Sequence, residues 1–374
     1  MEEMPDDRQP GAILSIAEGL DVVLLSDDEV LVQFGTRSSP SELLRDTDLK
    51  GFLGRIIGRL LQGPASLNDL LSDLRTEDCA DARTMIDDLT QRGILTDIDR
   101  SPIEQYLRYT FTGDSMLVDR SVSLIGAGPI GARLAHSLLQ NGLGRITLLD
   151  HRPADHLWHT FLPLGREPVQ DPSKPAHRAL RDHLLAAGHT RVECLDTSFF
   201  DAATIEEAVA RSDFVVVALE QQNLQLCHLV NRFCVRDQKP WLLAMIDGNF
   251  GLIGPLFLPP HTACYSDYRT LADASTPSRE MARKHRQHIL QRSAASFFPG
   301  LPAYADVVAG HTALAVVDFL IRDTSFALGR VLVIDFNRMM IDIEDVLKLP
   351  RCPVCGTERS AYRPLVSPDP VTGS

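Results

Sequence analysis

Residues 121–150 read SVSLIGAGPIGARLAHSLLQNGLGRITLLD, and no other stretch restricts the fold as strongly. Ser121–Ile125 is an apolar run of strand length. Gly126-Ala127-Gly128-Pro129-Ile130-Gly131 follows, then a helical stretch over Ala132–Gln140 that Asn141-Gly142 stops. Ile146–Leu149 predicts a second strand, closed by Asp150. Strand, glycine turn, helix, strand and acid in this order is the dinucleotide-binding arrangement. The glycines allow a tight turn and a close backbone approach, the helix N-terminus attracts phosphate, and the acid can reach ribose hydroxyls. Gly126, Gly128, Gly131 and Asp150 are therefore candidate cofactor-binding residues. The same residues also suit a turn kept for architecture alone. Phe214–Ala218 and Trp241–Ile246 predict further buried strands, with helical patterns over Pro175–Ala187 and Asn223–Val235. This alternation predicts an α/β, Rossmann-like domain with a mostly parallel sheet covered on both faces.

The preceding segment has a different period. Val22–Leu25 and Val30–Phe34 flank the polar Ser26–Glu29 and predict a hairpin. A third short strand is expected around Glu42–Arg45. Leu49, Phe52, Leu53, Ile56, Ile57, Leu60 and Leu61 recur at helical spacing until Gln62-Gly63-Pro64 stops them. Ser66 is a candidate N-cap for a helix over Leu67–Leu74, and a third helix covers about Ala80–Gln91, ending at Gly93. Strands and three short helices predict a winged-helix-like module over residues 10–100. Residues 101–119 then form a linker whose aromatics Tyr106, Tyr109 and Phe111 are expected to pack on a domain, residues 120–360 the α/β domain, and residues 361–374 a flexible tail. A chain of 374 residues suits two domains.

Charge narrows the role of the small module. The formal net charge is −13, and residues 1–100 hold 21 acidic against 10 basic side chains, leaving 29 against 27 in residues 101–374. Phosphate contacts need clustered Lys and Arg, whereas the third helix carries Asp81, Asp87 and Asp88 against Arg83 and Arg92, so nucleic-acid binding is not expected. No run of about 18 apolar residues predicts a membrane span, and MEEMPDDRQP has no apolar core of a secretory signal. Seven cysteines, an odd and mostly scattered set, fit a reducing cytoplasm.

Residues 121–150 resemble the ThiF/MoeB/ubiquitin-activating superfamily, whose members adenylate a carboxyl group with ATP. The phrase Asn141-Gly142-Leu143-Gly144-Arg145-Ile146 is typical of that family, Asn231–Cys234 is similar to its helix after the third strand, and Lys239-Pro240 precedes the fourth strand as in the family. The resemblance extends over residues 115–360. It implies a nucleotide site with Lys174 as the family's lysine. It also exposes departures. Pro129 stands where the family has Gly and removes an N–H donor. The family's S-N-L-x-R-Q run, whose Asn and Arg hold phosphates, is replaced by His156–Leu162. Gln222 stands at the place of an Mg²⁺-binding Asp, with Glu220 nearby but out of register; a neutral amide is a poor ligand for Mg²⁺. Adenylation needs cations at the α-phosphate, and most are missing.

Cys352-Pro353-Val354-Cys355 in a Pro/Gly turn is a zinc half-site, since neighbouring thiolates can share one tetrahedral ion. The resemblance implies a second pair of thiolates, and that place holds Cys264 and Asp267. The alternatives are a Cys₃Asp zinc site and a degenerate site without metal. His151, His156 and His159 suggest a metal cluster or, more plainly, polar loop histidines. Cys227 and Cys234 are expected in a helix core, Cys194 in a strand over Arg191–Leu195, and Cys79 in a loop.

The order of modules resembles the leader-peptide-binding proteins of ribosomal peptide natural-product pathways, whose N-terminal modules are called RiPP recognition elements. The resemblance implies that a leader adds a strand to the small sheet beside the third helix. Ser41, Leu43, Arg45, Arg83, Asp87 and Asp88 are the candidate leader-binding residues, and the acids favour a basic leader. The implied partners are a precursor peptide, a YcaO-type cyclodehydratase that forms azolines and azoles (TOMM chemistry), and a second copy in a homodimer. In that family the ThiF-like domain is often a scaffold without ATP. The second expectation is an active ATP-dependent adenylating enzyme acting on a peptide. A nicotinamide oxidoreductase and a winged-helix regulator explain fewer of these features.

Overall fold

The computed structural model describes residues 13–35, 41–48, 50–72, 74–111, 117–154, 171, 173–196, 201–275, 278, 280, 281, 284, 287 and 301–356. The chain divides into two compact units, Met1–Ser115 and Met116–Ser374.

The small unit contains two three-stranded sheets. β2 (Leu20–Leu24), β3 (Glu29–Phe34) and β4 (Ser41–Arg45) form an antiparallel meander; β1 (Ile13–Ile16) lies between β5 (Ala65–Ser66) and β6 (Leu95–Asp97). Val30, Val32 and Leu44 alternate onto one face and meet Phe52, Leu53, Ile56, Ile57 and Leu60 of α1 (Phe52–Leu60). Ile86 and Leu89 of α3 (Cys79–Gln91) join the same core. Ser66 caps α2 (Leu67–Leu71) in a reciprocal bond with Asp69, as its position predicts. Gly93, at φ 75°, follows the end of α3.

The structure corrects three small-unit expectations. α2 is one turn shorter than Leu67–Leu74. Cys79 opens α3 instead of lying in a loop. Residues 102–111, within the expected linker, form a helix, α4 (Pro102–Phe111). Its Tyr106 and Tyr109 rings lie 5.7 and 5.8 Å from Phe34, and its main chain passes so close to Gly93 that a Cβ there would sit 2.7 Å from Tyr109 N. Ring contacts with Phe34 join the helix to the unit, as the aromatics of this segment predict.

α1 offers a stability test. Gly58 lies in its interior, and an added Cβ would meet only Leu24 Cδ1 at 3.6 Å. Gly58→Ala should raise the small unit's stability by about 0.5–1 kcal/mol, read as a higher melting temperature. At Gly54 the same change should destabilise, because the Cβ would fall 2.5 Å from the Asp27 carbonyl oxygen.

The large unit is a Rossmann-like α/β domain built on an eight-stranded sheet. β9 (Val192–Cys194), β8 (Arg145–Leu149), β7 (Ser121–Ile125), β10 (Phe214–Leu219) and β11 (Trp241–Asp247) run parallel in that spatial order. β12 (Phe250–Phe257), β13 (Arg330–Asp335) and β14 (Met340–Asp345) extend the sheet antiparallel. That extension was not expected from the sequence. Every residue of β10 is buried, as a central parallel strand requires. Its alternation divides the core. Val215 and Val217 pack with α7 (Ala202–Ala210) and α8 (Leu224–Arg236), whereas Phe214 meets Phe319 of α10 (Pro302–Arg322) at 5.4 Å. α10 packs along α5 (Pro129–Gln140). α6 (Ala176–Ala186) contacts β8 and β9, and α9 (Tyr265–Ala274) contacts α8.

α5 begins three residues earlier than Ala132, because proline is well suited to the first helical position, where its missing N–H needs no partner. By length and composition α10 could cross a membrane, which the search for an unbroken apolar run overlooks. Within this unit many of its apolar residues, among them Val308, Ala315, Val316 and Phe319, are buried in the core, while Leu314 is exposed.

Candidate functional sites

In the small unit, β4 pairs only with β3 among the described strands and leaves its other edge open. Leu44 points into the core, and the Glu42 carboxylate pairs with Arg92, which caps the C-terminus of α3 and also holds Asp88 at 3.1 Å. Lys50 reaches Asp81 at 2.6 Å. These ion pairs orient α3: Asp81, Asp88 and Arg92 form the flank that borders β4. At 3.6 residues per turn, Arg83 and Asp87 point to the opposite flank. Ser41, Leu43 and Arg45 occupy the exposed face of β4, where Arg45 pairs with Glu29 at 2.9 Å. The six residues expected to bind a leader thus lie on three surfaces. Glu42 and Arg92, whose ion pair ties β4 to the C-terminal end of α3, are not among the expected leader-binding residues. Their opposite charges fifty residues apart give no local signal.

The opposite edge, β2, has α1 beside it. Gly54 N–H donates to Asp27 O at 2.8 Å, and Gly58 lies under Leu24.

In the large unit, the glycine turn joins β7 to α5. Gly126 takes φ 108° and lies against β10, where a Cβ would come within 2.0 Å of Ala218 O. A Cβ on Gly131 would come within 1.9 Å of Gly126 O, and one on Gly128 within 2.3 Å of Glu220 Oε2. Backbone atoms therefore require Gly126 and Gly131, and the Glu220 carboxyl fills the space beside Gly128.

Asp150 is fully buried at the end of β8. Ala127 N–H donates to its Oδ2 at 2.8 Å, and Arg152 donates from its main-chain N–H to Oδ1 at 2.9 Å. The Arg152 guanidinium donates from Nε to Oδ1 at 3.0 Å and from Nη2 to Oδ2 at 2.7 Å. Its Nη1 reaches Glu220 Oε2 at 3.3 Å, and Ile130 N–H, in the first turn of α5, donates to Glu220 Oε1 at 3.1 Å. Arg152 is 8% exposed and Glu220 4%. Burial opposes ionisation of Asp150, but Arg152 outweighs it and holds the carboxyl below its usual range. Burial pushes the Glu220 carboxyl up, with Arg152 opposing. Burial would lower Arg152, yet the two acids keep it firmly cationic.

Lys174 does not join this cluster. Its ammonium pairs with Asp182 of α6, and its carbonyl accepts from Ala154 N–H at 2.8 Å. His156–Leu162, including His159, lies outside the described residues.

The third site unites all four candidate metal ligands. Cys264, Asp267, Cys352 and Cys355 place one ligand atom each within 4.8 Å of one another, the only such group of three or more His, Cys, Asp or Glu among the described residues. Cys264 Sγ and Cys352 Sγ are 3.6 Å apart, near the edge of about 3.8 Å that tetrahedral Zn–S bonds of 2.3 Å imply. Cys355 Sγ lies 3.0 Å from Asp267 Oδ2. Cys264 N–H donates to Asp267 Oδ2 at 2.9 Å, which orients the carboxylate as outer-shell bonds orient metal ligands. Burial pushes the Cys352 thiol up to about 11 in the absence of an ion. Three thiols and a buried carboxylate are a donor set that fits zinc. All seven cysteines are free thiols.

Residues 174–355 match the model of the ThiF family. The match ends on the second cysteine of the half-site and begins after the glycine turn. No curated protein matches the sequence at a significant level. Solved structures of *E. coli* MccB share the fold. The complex with ATP superposes with a TM-score of 0.62 at 18% identity, covering 92% of this chain and 99% of that one. The microcin C7 biosynthetic enzyme MccB with N-formylated MccA gives 0.62 and 18%, covering 92% and 100%. A heterocyclase in complex with substrate and cofactor gives 0.61 at 14% identity over 95% of this chain and 42% of that one, so the present chain spans less than half of that protein. At these identities the likeness is one of fold.

Proposed function

We propose, from the premise that the large unit is a ThiF-like domain, that this chain binds the leader of a ribosomally made precursor peptide and presents it to a YcaO-type cyclodehydratase for azoline and azole formation. The observation that carries this reading is the open edge of β4 beside the acidic flank of α3. An extended peptide can add there as a fourth strand, with backbone bonds for affinity and side-chain contacts for register. Together with Glu42, Asp81 and Asp88 outnumber Lys50 and Arg92 there by one charge, which favours a basic leader. The fold partners support the reading, since MccB is solved with MccA and the heterocyclase with its substrate. The ThiF-like unit then acts as a scaffold that docks the partner enzyme or a second copy, and zinc at Cys264, Asp267, Cys352 and Cys355 fastens its C-terminal turn. A reducing cytoplasm suits the free thiols.

The test uses a fluorescein-labelled leader from a short open reading frame beside the gene. Fluorescence polarisation should show that residues 1–115 retain the affinity of the full chain within about threefold, because this unit has its own core. A fragment ending at residue 100 lacks α4 and should be less stable. Asp88→Lys should weaken a basic leader by roughly three- to tenfold, while Asp87→Lys, on the far flank, should change it less than twofold. Leader binding that resides only in residues 116–374 would overturn the assignment.

The second reading, an ATP-dependent adenylating enzyme acting on a peptide, is favoured by the retained glycine turn. Leader-dependent pyrophosphate exchange by the wild-type chain would establish it in place of the scaffold.

A further inference from the structure

A glycine turn that binds nucleotide presents free N–H groups at its helix N-terminus and an acid with oxygens open to ribose. In this chain both positions are filled from within. Ile130 N–H, in the first turn of α5, is spent on Glu220 Oε1. The Glu220 carboxyl lies against Gly128 so closely that both its oxygens would be within 2.5 Å of a Cβ there. A phosphate resting on that glycine would need the same volume. Asp150 is equally committed, because each of its oxygens accepts one main-chain N–H and at least one guanidinium N–H.

We infer that Glu220 is a built-in plug in the phosphate position of the glycine turn, locked by Arg152 to Asp150, so that the domain closes its own nucleotide site. The inference deepens the scaffold reading and rests on it. It explains why the three glycines persist without a nucleotide: Gly126 and Gly131 are held by backbone contacts, and Gly128 makes room for the Glu220 carboxyl. It also explains the electrostatics. Two buried acids share one guanidinium, and the positive end of α5 faces the surplus negative charge. An incoming triphosphate meets a carboxyl group where it needs donors.

Removing the plug should therefore uncover an anion site. In the full chain, Glu220→Ala should bind inorganic phosphate at least roughly tenfold more tightly than wild type by calorimetry. Its lowered melting temperature should recover in part when phosphate is added. Glu220→Gln keeps the shape and removes the charge, and should gain a smaller response. Wild type should respond to neither phosphate nor MgATP. Wild-type binding of MgATP as tight as the variants' would overturn the inference, as would a folded Glu220→Ala that ignores phosphate. If Glu220→Ala does not fold, Glu220→Gln decides alone: a gain over wild type supports the plug, and no gain overturns it. Leader polarisation and pyrophosphate exchange on the same samples separate the two proposals. ATP binding without exchange removes the plug and leaves the scaffold. Loss of leader binding, with a phosphate gain in Glu220→Ala, does the reverse.

Discussion

Gly131→Ala should abolish native folding of the large unit or lower its stability by more than about 3 kcal/mol, a cost at the upper end of overpacking effects. The added methyl would sit 1.9 Å from the Gly126 carbonyl oxygen, and neither the Cα that carries it nor that carbonyl can retreat without moving main chain. Gly126 is itself fixed at φ 108° against Ala218 of β10, and its N–H donates to Leu149 O at 2.8 Å. Moving it would break contacts with β8 and β10 together. Gly142→Ala is the matched control. Unlike the helical Gly131 it sits at positive φ, 90°, and nothing lies within 4 Å of a Cβ there. Its cost should be only the backbone strain of about 1 kcal/mol. Chemical denaturation of both variants checks the contrast; equal losses would mean that the main chain relaxes around the Gly131 methyl.

Removing metal should have the second large effect. Purified under reducing conditions, the chain should carry about one zinc per molecule by elemental analysis. A strong chelator, or Cys352→Ser, should lower the melting temperature of the large unit by roughly 10 °C, from several kcal/mol of lost binding energy. The site joins the segment before α9 to the turn Leu349–Cys355, 88 residues later, so the ion closes a long loop. Without it, three thiols and a carboxylate would be packed together without the charge that justifies them. Asp267→Asn should weaken zinc less than Cys352→Ser, because Asp267 also holds Cys264 N–H and Leu349 N–H. A metal-free chain with an unchanged melting temperature would show that this is a vestige held by hydrogen bonds.

Much of the fold was legible because its signals are local. The glycine turn, the apolar runs of β7, β8, β10 and β11, and the Ser66 cap each declare themselves within a few residues. Legibility failed where a partner lies elsewhere. α4 resembled a linker because its rings meet Phe34, seventy residues away. Of β12–β14 only β14 is an edge strand, with all six residues exposed, whereas the apolar run of β13 is as plain as those of the parallel strands. α10 was overlooked because its apolar content is interrupted, yet a core helix tolerates such interruptions where its surface meets solvent.

The candidate sites divide the same way. The cysteine half-site was visible from spacing, and Asp267 could be placed only by resemblance. Asp150 was found at its expected distance from the glycines, but its openness could not be read. Arg152, two residues on, had no assigned role, and Glu220 was set aside as out of register.

The sequence by itself determined that a strand, a glycine turn and a helix begin an α/β domain, because backbone conformation and hydrophobic period are properties of neighbouring residues. It also placed the acidic surplus in the small unit. The tertiary structure decided which charges meet: Arg152 with Glu220 across 68 residues, Arg92 with Glu42 across 50, and Cys264 with Cys352 across 88. Those encounters convert an apparent nucleotide site into a closed one and tie the end of α3 to β4. They depend on the packing of distant segments, which no local pattern encodes.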